Sequence, residues 1–197
     1  MFDEWLRRYK DRLLGGIARH MSRVPPTAVT LLAFAAGLAA AAAILAGLRP
    51  LAFALWIVNR VLDGLDGTLA RSQGRSSDLG AYLDIIFDFV VYAAIPLALA
   101  AVEPEASARM AVTVLLATFY INAASWMYLS ALLERRGTEA GATRVAMPAG
   151  LVAGAETIVF YGALILLPDR LAVIAWTMSI LVLASALQRV VWACRRL

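Results

Sequence analysis

The chain has 197 residues, of which 62% are hydrophobic, and its mean hydropathy is +0.76. Because soluble domains are roughly 45–50% apolar, this composition excludes an ordinary soluble domain and indicates an all-α integral membrane protein. The formal net charge is +4, but the basic residues concentrate at the ends of apolar runs. That distribution is typical of topology determinants, so no nucleic-acid partner is expected.

The beginning of the chain predicts a helix that lies on the membrane surface. Residues 2–23 place most of their apolar side chains along one helical stripe and most basic side chains elsewhere. This amphipathic pattern is typical of an interfacial helix on anionic headgroups, with a solvated helical arm as the alternative. Pro25 and Pro26 then interrupt the helix, and Thr27 occupies an N-cap position for the next one.

Six apolar runs follow, each near the roughly 20 residues that a helix needs to cross a bilayer. The predicted spans cover about residues 27–47, 50–71, 79–101, 108–133, 146–167 and 171–193. Together they predict a six-helix transmembrane bundle over about 27–195, within a single domain of residues 1–197.

The basic residues predict the orientation of these spans. They gather in the N-terminal arm, in the loops 72–79 and 134–144, and in the C-terminal tail. By the positive-inside rule both termini and these loops face the cytoplasm, and a bacterial inner membrane is the expected location.

Four aspartates lie within or beside the second and third predicted spans, at Asp63, Asp66, Asp84 and Asp88. An ionised carboxylate at bilayer depth costs several kcal/mol unless it is paired, hydrated or bound to a metal ion. Helical periodicity places the first two on one face of their helix and the last two one turn apart on the next. Facing helices would therefore gather all four, which we call the acidic cluster.

Clustered carboxylates repel one another strongly where the dielectric is low, and divalent cations relieve that repulsion. His20 and Cys194 are the sole imidazole and thiol of the sequence. Oxygen ligands without imidazole or thiolate favour the hard ions Mg²⁺ or Mn²⁺ over zinc. The acidic cluster therefore predicts a site for one of these ions.

The spacing of these residues resembles the signature of the CDP-alcohol phosphotransferase family, D-x2-D-G-x2-A-R-x8-G-x3-D-x3-D. Every fixed position is matched, over residues 63–88. The resemblance implies an integral membrane enzyme of phospholipid biosynthesis. Such an enzyme transfers a phosphatidyl or related phosphoalcohol group from a CDP-linked donor, such as CDP-diacylglycerol, to an acceptor alcohol and releases CMP.

The resemblance also implies two divalent ions and a homodimer. On the family pattern Asp63, Asp66 and Asp84 are metal ligands. Asp88 ligates one metal ion and is also the catalytic base that accepts the proton of the acceptor hydroxyl. The sequence by itself predicts the cluster and not this division of roles.

Further positions fall where the family binds its donor. The donor-binding residues implied in this way are Thr27, Thr30, Gly67, Ala70, Arg71, Ser77 and Gly80. Gly67 and Gly80 would leave room for a flat cytosine, and Arg71 offers a bidentate fork for phosphate. Small residues for helix packing and an arginine at the membrane edge are the alternatives. The stretch 27–30 departs from the family pattern P-N/D-x-V-T at Thr27, and both of its threonines could instead simply start a helix.

Three neighbouring polar residues complete this region. Ser77 matches a position that contacts donor phosphate in some relatives, with an ordinary loop serine as the alternative. Asp78 is predicted to cap the third helix. Asn59 lies one turn before Asp63 and could support a metal ligand.

The sequence specifies the acceptor less well than the donor. Candidate acceptor-binding residues are Arg135, Arg144, Glu156 and Arg189. The arginines would bind a phosphorylated acceptor such as glycerol 3-phosphate or inositol phosphate, or serve only as topology determinants. Glu156, well within predicted span five, would orient acceptor hydroxyls, pair with an amine, or pair with a nearby arginine. The sequence lacks the G-K-x-K-T-like stretch of several phosphate-acceptor members, which favours an unphosphorylated alcohol such as inositol or serine.

A membrane transporter is the alternative from another functional class, because intramembrane carboxylates also mark ion pathways. Against it, the acidic residues that lie together belong to one motif. No inverted repeat is visible in the sequence.

Overall fold

The computed structural model describes Gly16 and residues 24–136, 150–152 and 154–197. Within these ranges the regular structure is helical, and no strand occurs. The α-helices of the described residues are α1 (Pro26–Leu45), α2 (Arg49–Ser72), α3 (Asp78–Val102), α4 (Ala106–Arg135), α5 (Gly154–Leu166) and α6 (Leu171–Arg196). A 3-10 turn, Pro168–Arg170, precedes α6. The predicted interfacial helix over residues 2–23 lies outside the described residues apart from Gly16.

In the described part of the chain, four helices are long and apolar enough to cross a membrane. They are α1, α3, α4, and α6 taken together with the preceding turn. Helix α2 has a sufficient length of 24 residues but carries the charged residues of the motif, and α5 has 13 residues. The helices identify an integral membrane protein, while the count of six spans stays a prediction.

Two helix starts differ from their predicted caps. Helix α1 begins at Pro26 after an extended Pro25, because a proline in the first helical position loses no hydrogen bond. Helix α3 is capped by Ser77, whose hydroxyl accepts the N–H of Gly80 at 3.1 Å. Asp78 is instead the first helical residue, where its charge favours the positive end of the helix dipole. The predictions that Thr27 and Asp78 are the caps are wrong.

The start of α5 also differs from the sequence prediction, which placed span five over residues 146–167. Residues 150–152 are not helical. Gly150 has a φ of 89°, a left-handed conformation that favours glycine. The hydroxyl oxygen of Ser185 accepts the N–H of Leu151 at 2.7 Å and the N–H of Val152 at 3.2 Å. These bonds replace helical ones, so the helix begins at Gly154.

The residues form two compact units, Met1–Pro104 and Glu105–Leu197. In the first, α1 packs against both α2 and α3. In the second, α6 packs against α4 and α5. The complete motif at 63–88 lies in the first unit. The single domain predicted for the whole chain stays a prediction.

Helix α1 approaches its neighbours closely at Gly37. A Cβ atom there would lie 2.5 and 2.8 Å from the two Cγ atoms of Val91 and 3.0 Å from Nδ2 of Asn59. That amide is fixed because it donates to the carbonyl of Ala33 at 2.7 Å. The missing side chain of Gly37 therefore permits the close packing of small residues that is typical of membrane helices.

The change Gly37→Ala is expected to lower the free energy of unfolding by about 1–3 kcal/mol, as overpacking of a core does. Val91 is β-branched, so it cannot easily rotate away from the added methyl group. Thermal unfolding in a mild detergent would measure the effect. Gly154→Ala is the control, because a Cβ there meets nothing within 4 Å, and its melting temperature should not fall. Equal melting temperatures for the two variants would contradict this account of the packing.

Candidate active site

A cavity of about 380 Å³ opens where α1 begins, α2 ends and α3 begins. This volume is within the range of small-molecule sites. All seven predicted donor-binding residues line it together with two aspartates: Thr27, Thr30, Asp66, Gly67, Ala70, Arg71, Ser77, Gly80 and Asp84. The structure thus brings together residues from three helices that the sequence motif alone could only suggest as neighbours.

The two motif glycines border this cavity. A Cβ atom on Gly67 would meet only Nη1 of Arg71, at 3.3 Å, and one on Gly80 would meet only Oγ of Ser77, at 3.1 Å. Neither contact involves a neighbouring helix packed against the glycine, in contrast to Gly37 in the core. Among the described residues, these two glycines therefore keep space open in the cavity, and no neighbouring helix packs against either of them.

Two cationic side chains line the cavity. Arg71 is exposed, and its Nη2 donates to Oγ1 of Thr68 at 3.4 Å. Arg75 is also exposed and lines the same cavity. Two guanidinium groups at one cavity suit an anionic, phosphate-bearing ligand. The sequence analysis treated Arg75 only as a topology determinant. Its position four residues after Arg71, in the short loop between α2 and α3, could have indicated a second cation at the cavity.

Beside the cavity, hydrogen bonds join distant parts of the chain. Nε2 of Gln73 donates to the carbonyl of Val24 at 3.0 Å. Nη1 of Arg75 donates in turn to Oε1 of Gln73 at 3.4 Å. The loop after α2 is therefore held against the segment that precedes α1, which positions both walls of the cavity.

The acidic cluster forms along this cavity and a smaller one beside it. Asp66 and Asp84 line the large cavity. Asp63, Asp84 and Asp88 line a small cavity of about 10 Å³. Thr30 and Asp84 are common to both. The helical periodicity of the motif thus correctly predicted that these four carboxylates gather.

Two members of the acidic cluster share one buried cation, Arg60. Nη2 of Arg60 donates to Oδ1 of Asp88 at 2.7 Å. Nη1 lies 3.7 Å from Oδ2 of Asp63. The side chain of Arg60 projects from α2, and the residue is only 8% exposed. The sequence analysis did not identify Arg60, although an arginine in a predicted span is itself a signal of function.

Arg60 is held in place by aromatic and amide groups. Its Nη1 donates to the hydroxyl of Tyr92 at 2.8 Å, and its Nε donates to Oδ1 of Asn59 at 2.7 Å. Its guanidinium carbon lies 4.7 Å from the ring centre of Trp56 and 5.0 Å from that of Tyr92. Both distances suit cation–π attraction. The sequence predicted that Asn59 supports a metal ligand. In the structure it supports Arg60, which contacts two of the predicted metal ligands, Asp63 and Asp88.

The remaining aspartate of α2 has a different environment. Asp66 is 5% exposed, and within the described residues its Oδ2 has no hydrogen-bond partner. A buried carboxylate oxygen without a donor is costly, and a cation is the group that would satisfy it.

The donor set fits a hard divalent cation. Carboxylate oxygens are the ligands that Mg²⁺ and Mn²⁺ prefer, and Oδ2 of Asp66 lacks a hydrogen-bond partner among the residues that the structure describes. In the described ranges, however, no three His, Cys, Asp or Glu side chains are already arranged to hold a metal ion. Two of the four carboxylates, those of Asp63 and Asp88, lie instead beside the guanidinium group of Arg60.

The candidate acceptor residues belong to the second unit or lie outside the described residues, as Arg144 does. Arg135 is exposed in the last turn of α4. Arg189 is buried, and its Nη1 donates to Oδ1 of Asn122 at 2.6 Å. Glu156 lies in the first turn of α5, and not well within a span as the sequence suggested. A carboxylate is favoured there by the helix dipole. An acceptor role for these residues stays a prediction.

A sequence model of the CDP-alcohol phosphatidyltransferase family matches residues 23–193. The chain belongs to this family. Among curated relatives of this CDP-alcohol phosphatidyltransferase chain, the inner membrane protein YnjF of Escherichia coli is 36% identical over 112 residues, which are 57% of this chain and 53% of YnjF. The bifunctional IPC transferase and DIPP synthase of Thermococcus kodakarensis is 38% identical over 87 residues, covering 38% of this chain and 20% of that protein. The chain therefore matches about half of the first relative and about a fifth of the second.

Solved structures show the same fold. The crystal structure of Mycobacterium tuberculosis phosphatidylinositol phosphate synthase (PgsA1) with CDP-DAG bound has a TM-score of 0.72 at 23% identity, covering 91% of this chain and 92% of PgsA1. The structure of PgsA1 in complex with manganese and citrate gives the same TM-score and identity and covers 88% of that chain. At this identity the likeness establishes that this CDP-alcohol phosphatidyltransferase family member shares the fold of PgsA1.

Proposed function

We propose that this protein transfers a phosphatidyl group from a CDP-linked donor, CDP-diacylglycerol, to an acceptor alcohol and releases CMP. The observation that carries the proposal is the cavity lined at once by the donor-binding residues of the motif and by Asp66 and Asp84. Membership of the CDP-alcohol phosphatidyltransferase family supports it. The structure of PgsA1 with CDP-DAG bound supports the choice of donor. No comparable observation favours the transporter alternative.

The cavity residues suit a nucleotide donor. Gly67 and Gly80 leave space in which a flat cytosine can lie between helices. Arg71 and Arg75 offer guanidinium groups for the two phosphates. Thr27, Thr30 and Ser77 would add neutral hydrogen bonds, although Ser77 also caps α3. In this role the hydroxyl of Ser77 contributes to both helix stability and ligand binding.

The acidic cluster would hold two divalent ions, Mg²⁺ or Mn²⁺, through Asp63, Asp66, Asp84 and Asp88. When bound, such ions neutralise phosphate charge and act as Lewis acids. The manganese complex of PgsA1 supports this assignment.

Asp88 is the proposed base in the transfer step. The acceptor oxygen attacks the β-phosphorus of the donor, its proton passes to Asp88, and the bond to CMP breaks. Because Oδ1 of Asp88 already accepts a hydrogen bond from Arg60, the proton is expected at Oδ2. Arg60 thereby orients the base.

The acceptor, the orientation and the oligomeric state are further parts of the proposal. Glu156 and the arginines at positions 135, 144 and 189 are the acceptor-binding candidates. The basic loops of the sequence support an orientation in which both termini and the cavity face the cytoplasm. A homodimer is proposed from the family resemblance, and a monomeric mass in nanodiscs would contradict it.

The direct test uses purified protein in detergent with CDP-diacylglycerol and Mg²⁺ or Mn²⁺. CMP release would be measured with a panel of acceptors comprising glycerol 3-phosphate, inositol, inositol phosphate and serine, with EDTA as the metal-free control. Release that depends on both the metal ion and one acceptor is expected. Absence of CMP release with every acceptor, together with no calorimetric binding of CDP-diacylglycerol, would contradict the proposed function.

The change Gly67→Ala is expected to weaken donor binding about 5- to 150-fold, because overpacking costs about 1–3 kcal/mol and 1.4 kcal/mol corresponds to a factor of ten. The added methyl group would displace Arg71 and occupy part of the cavity. The melting temperature without donor should be unchanged, which is the opposite of the result expected for Gly37→Ala. Calorimetric titration with CDP-diacylglycerol measures the effect, with Gly154→Ala as the matched control. Unaltered affinity in Gly67→Ala would place the donor elsewhere.

A further inference from the structure

We propose that Arg60 is an internal cation that divides the acidic cluster into two unequal halves. In this proposal Asp66 and Asp84 bind one divalent ion tightly, whereas Asp63 and Asp88 bind a second ion weakly. The inference rests on the proposed function, since it takes these four aspartates as metal ligands. It assigns a role to a residue that lies outside the motif.

The first step of the argument is the charge already present beside Asp63 and Asp88. One guanidinium group lies 2.7 Å from Oδ1 of Asp88 and 3.7 Å from Oδ2 of Asp63. A divalent ion that approaches these two carboxylates meets a partly neutralised pair and a neighbouring positive charge. Repulsion between like charges is strong at a buried site, so the ion binds this half less tightly.

The second step is that Arg60 cannot easily move away. Its three nitrogen atoms all donate hydrogen bonds, to Asn59, Tyr92 and Asp88. Two aromatic rings lie within 5.0 Å of its guanidinium carbon. Removal of these contacts would leave several buried polar groups without partners, which is costly. The cation therefore stays in place when a metal ion arrives.

The third step is the contrast with the other half of the cluster. In the described part of the chain, neither Asp66 nor Asp84 takes part in an ion pair. Oδ2 of Asp66 is buried and without a hydrogen-bond partner. An ion bound here meets no ion-paired cation and satisfies Oδ2 of Asp66, which has no hydrogen-bond partner among the described residues. This half also lines the large cavity, where an ion can enter.

The two halves then have distinct roles in assembling the site. The tightly held ion belongs to the protein before the donor arrives. The weakly held ion needs additional negative charge, which the phosphates of the CDP-linked donor would supply. The second ion is therefore expected to bind together with the donor, and Arg60 is a positioning residue that sets this order.

The test is a titration of the purified protein with Mn²⁺ alone, with free Mn²⁺ followed by its electron paramagnetic resonance signal. The wild-type protein should show one tight ion and a second at least about tenfold weaker. Addition of CDP as a probe should increase the affinity for the second ion. Arg60→Gln should increase this affinity at least about tenfold in the absence of CDP. Arg60→Lys keeps the positive charge, so it should still bind two ions with unequal affinities. Arg109→Gln changes an exposed arginine of α4 that has no part in the proposed site, and it should leave both affinities unchanged.

Other variants connect each ion to its half of the cluster. Asp88→Asn should lose the weak ion and keep the tight one, while Asp66→Asn should lose the tight ion. This pair of measurements keeps the test decisive even where Arg60→Gln does not fold. Two equal affinities in the wild type, or an unchanged weak ion in folded Arg60→Gln, would overturn the inference while leaving the metal site intact. Full Mn²⁺ binding in Asp66→Asn would instead overturn the proposed metal site itself.

Discussion

Asp66→Asn is expected to reduce CMP release by at least about a thousandfold. The reason is that a neutral amide cannot supply the charge that holds a divalent ion, and the Lewis acidity of such an ion contributes several kcal/mol, of which each 1.36 kcal/mol is a factor of ten in rate. Asp66 is the member of the cluster whose Oδ2 is buried without a hydrogen-bond partner in the described part of the chain, and neither of the ion pairs of the cluster includes it. Its loss should therefore be the least tolerated of the four.

The stability of this variant provides the control. In EDTA the melting temperature of Asp66→Asn should not fall below that of the wild type, since the change removes a buried charge that neither ion pair of the cluster includes. In Mn²⁺ the variant should lack the rise in melting temperature that ligand binding gives to the wild type. Near-normal turnover in Asp66→Asn would refute the assignment of this residue as a metal ligand.

Asp88→Asn should lower turnover by about 10²–10⁴, the usual contribution of a general base. Its effect on donor affinity should be smaller than that of Asp66→Asn, because Asp88 lines the small cavity and not the large one and only the weakly held ion is lost with it. The change also removes one partner of a buried ion pair, which typically costs about 3–5 kcal/mol. Asp63 still lies 3.7 Å from Arg60, so the loss of stability should be smaller than this typical value. Turnover, donor affinity by calorimetry and thermal unfolding measure these three effects separately.

The matched control for this variant is Asp78→Asn, on the same helix. Asp78 is exposed in the first turn of α3, so only a small change in stability from the helix dipole is expected. Its turnover should be near normal. If Asp88→Asn lost donor binding as completely as Asp66→Asn, Asp88 would be chiefly a metal ligand and the base would lie elsewhere.

The sequence predicted α1, α2 and α3 to within a few residues, because long apolar runs bounded by proline and polar loops leave few alternatives. It also predicted which motif residues meet, since helical periodicity places Asp66 and Gly67 on one side of α2 and Gly80 and Asp84 on one side of α3. The observed cavity joins these faces. The part of the site that depends on spacing within one helix was therefore predictable.

The part of the site that depends on contacts between helices could not be predicted from the sequence. Arg60 contacts Asp88 and Tyr92, which are 28 and 32 positions away in the chain. No periodicity within α2 reveals such partners. The cap of α3 was assigned to the wrong residue because Ser77 and Asp78 are adjacent and either side chain could satisfy the first turn. Only the backbone conformation, with Ser77 extended at φ −141° and ψ 151°, distinguishes them.

The late start of α5 raises a question of hydrophobic mismatch. Its 13 helical residues extend about 20 Å at 1.5 Å per residue, whereas the hydrocarbon core of a bilayer is about 30 Å thick. Before α5, residues 150–152 are not helical, and lipid offers no hydrogen bonds to such backbone. The hydroxyl of Ser185, on α6, accepts hydrogen bonds from the N–H groups of Leu151 and Val152, so a side chain replaces the partners that a helical turn would give them. A bilayer accommodates an apolar segment shorter than its hydrocarbon core by local thinning, and this is what the described length of α5 would require of the membrane around it.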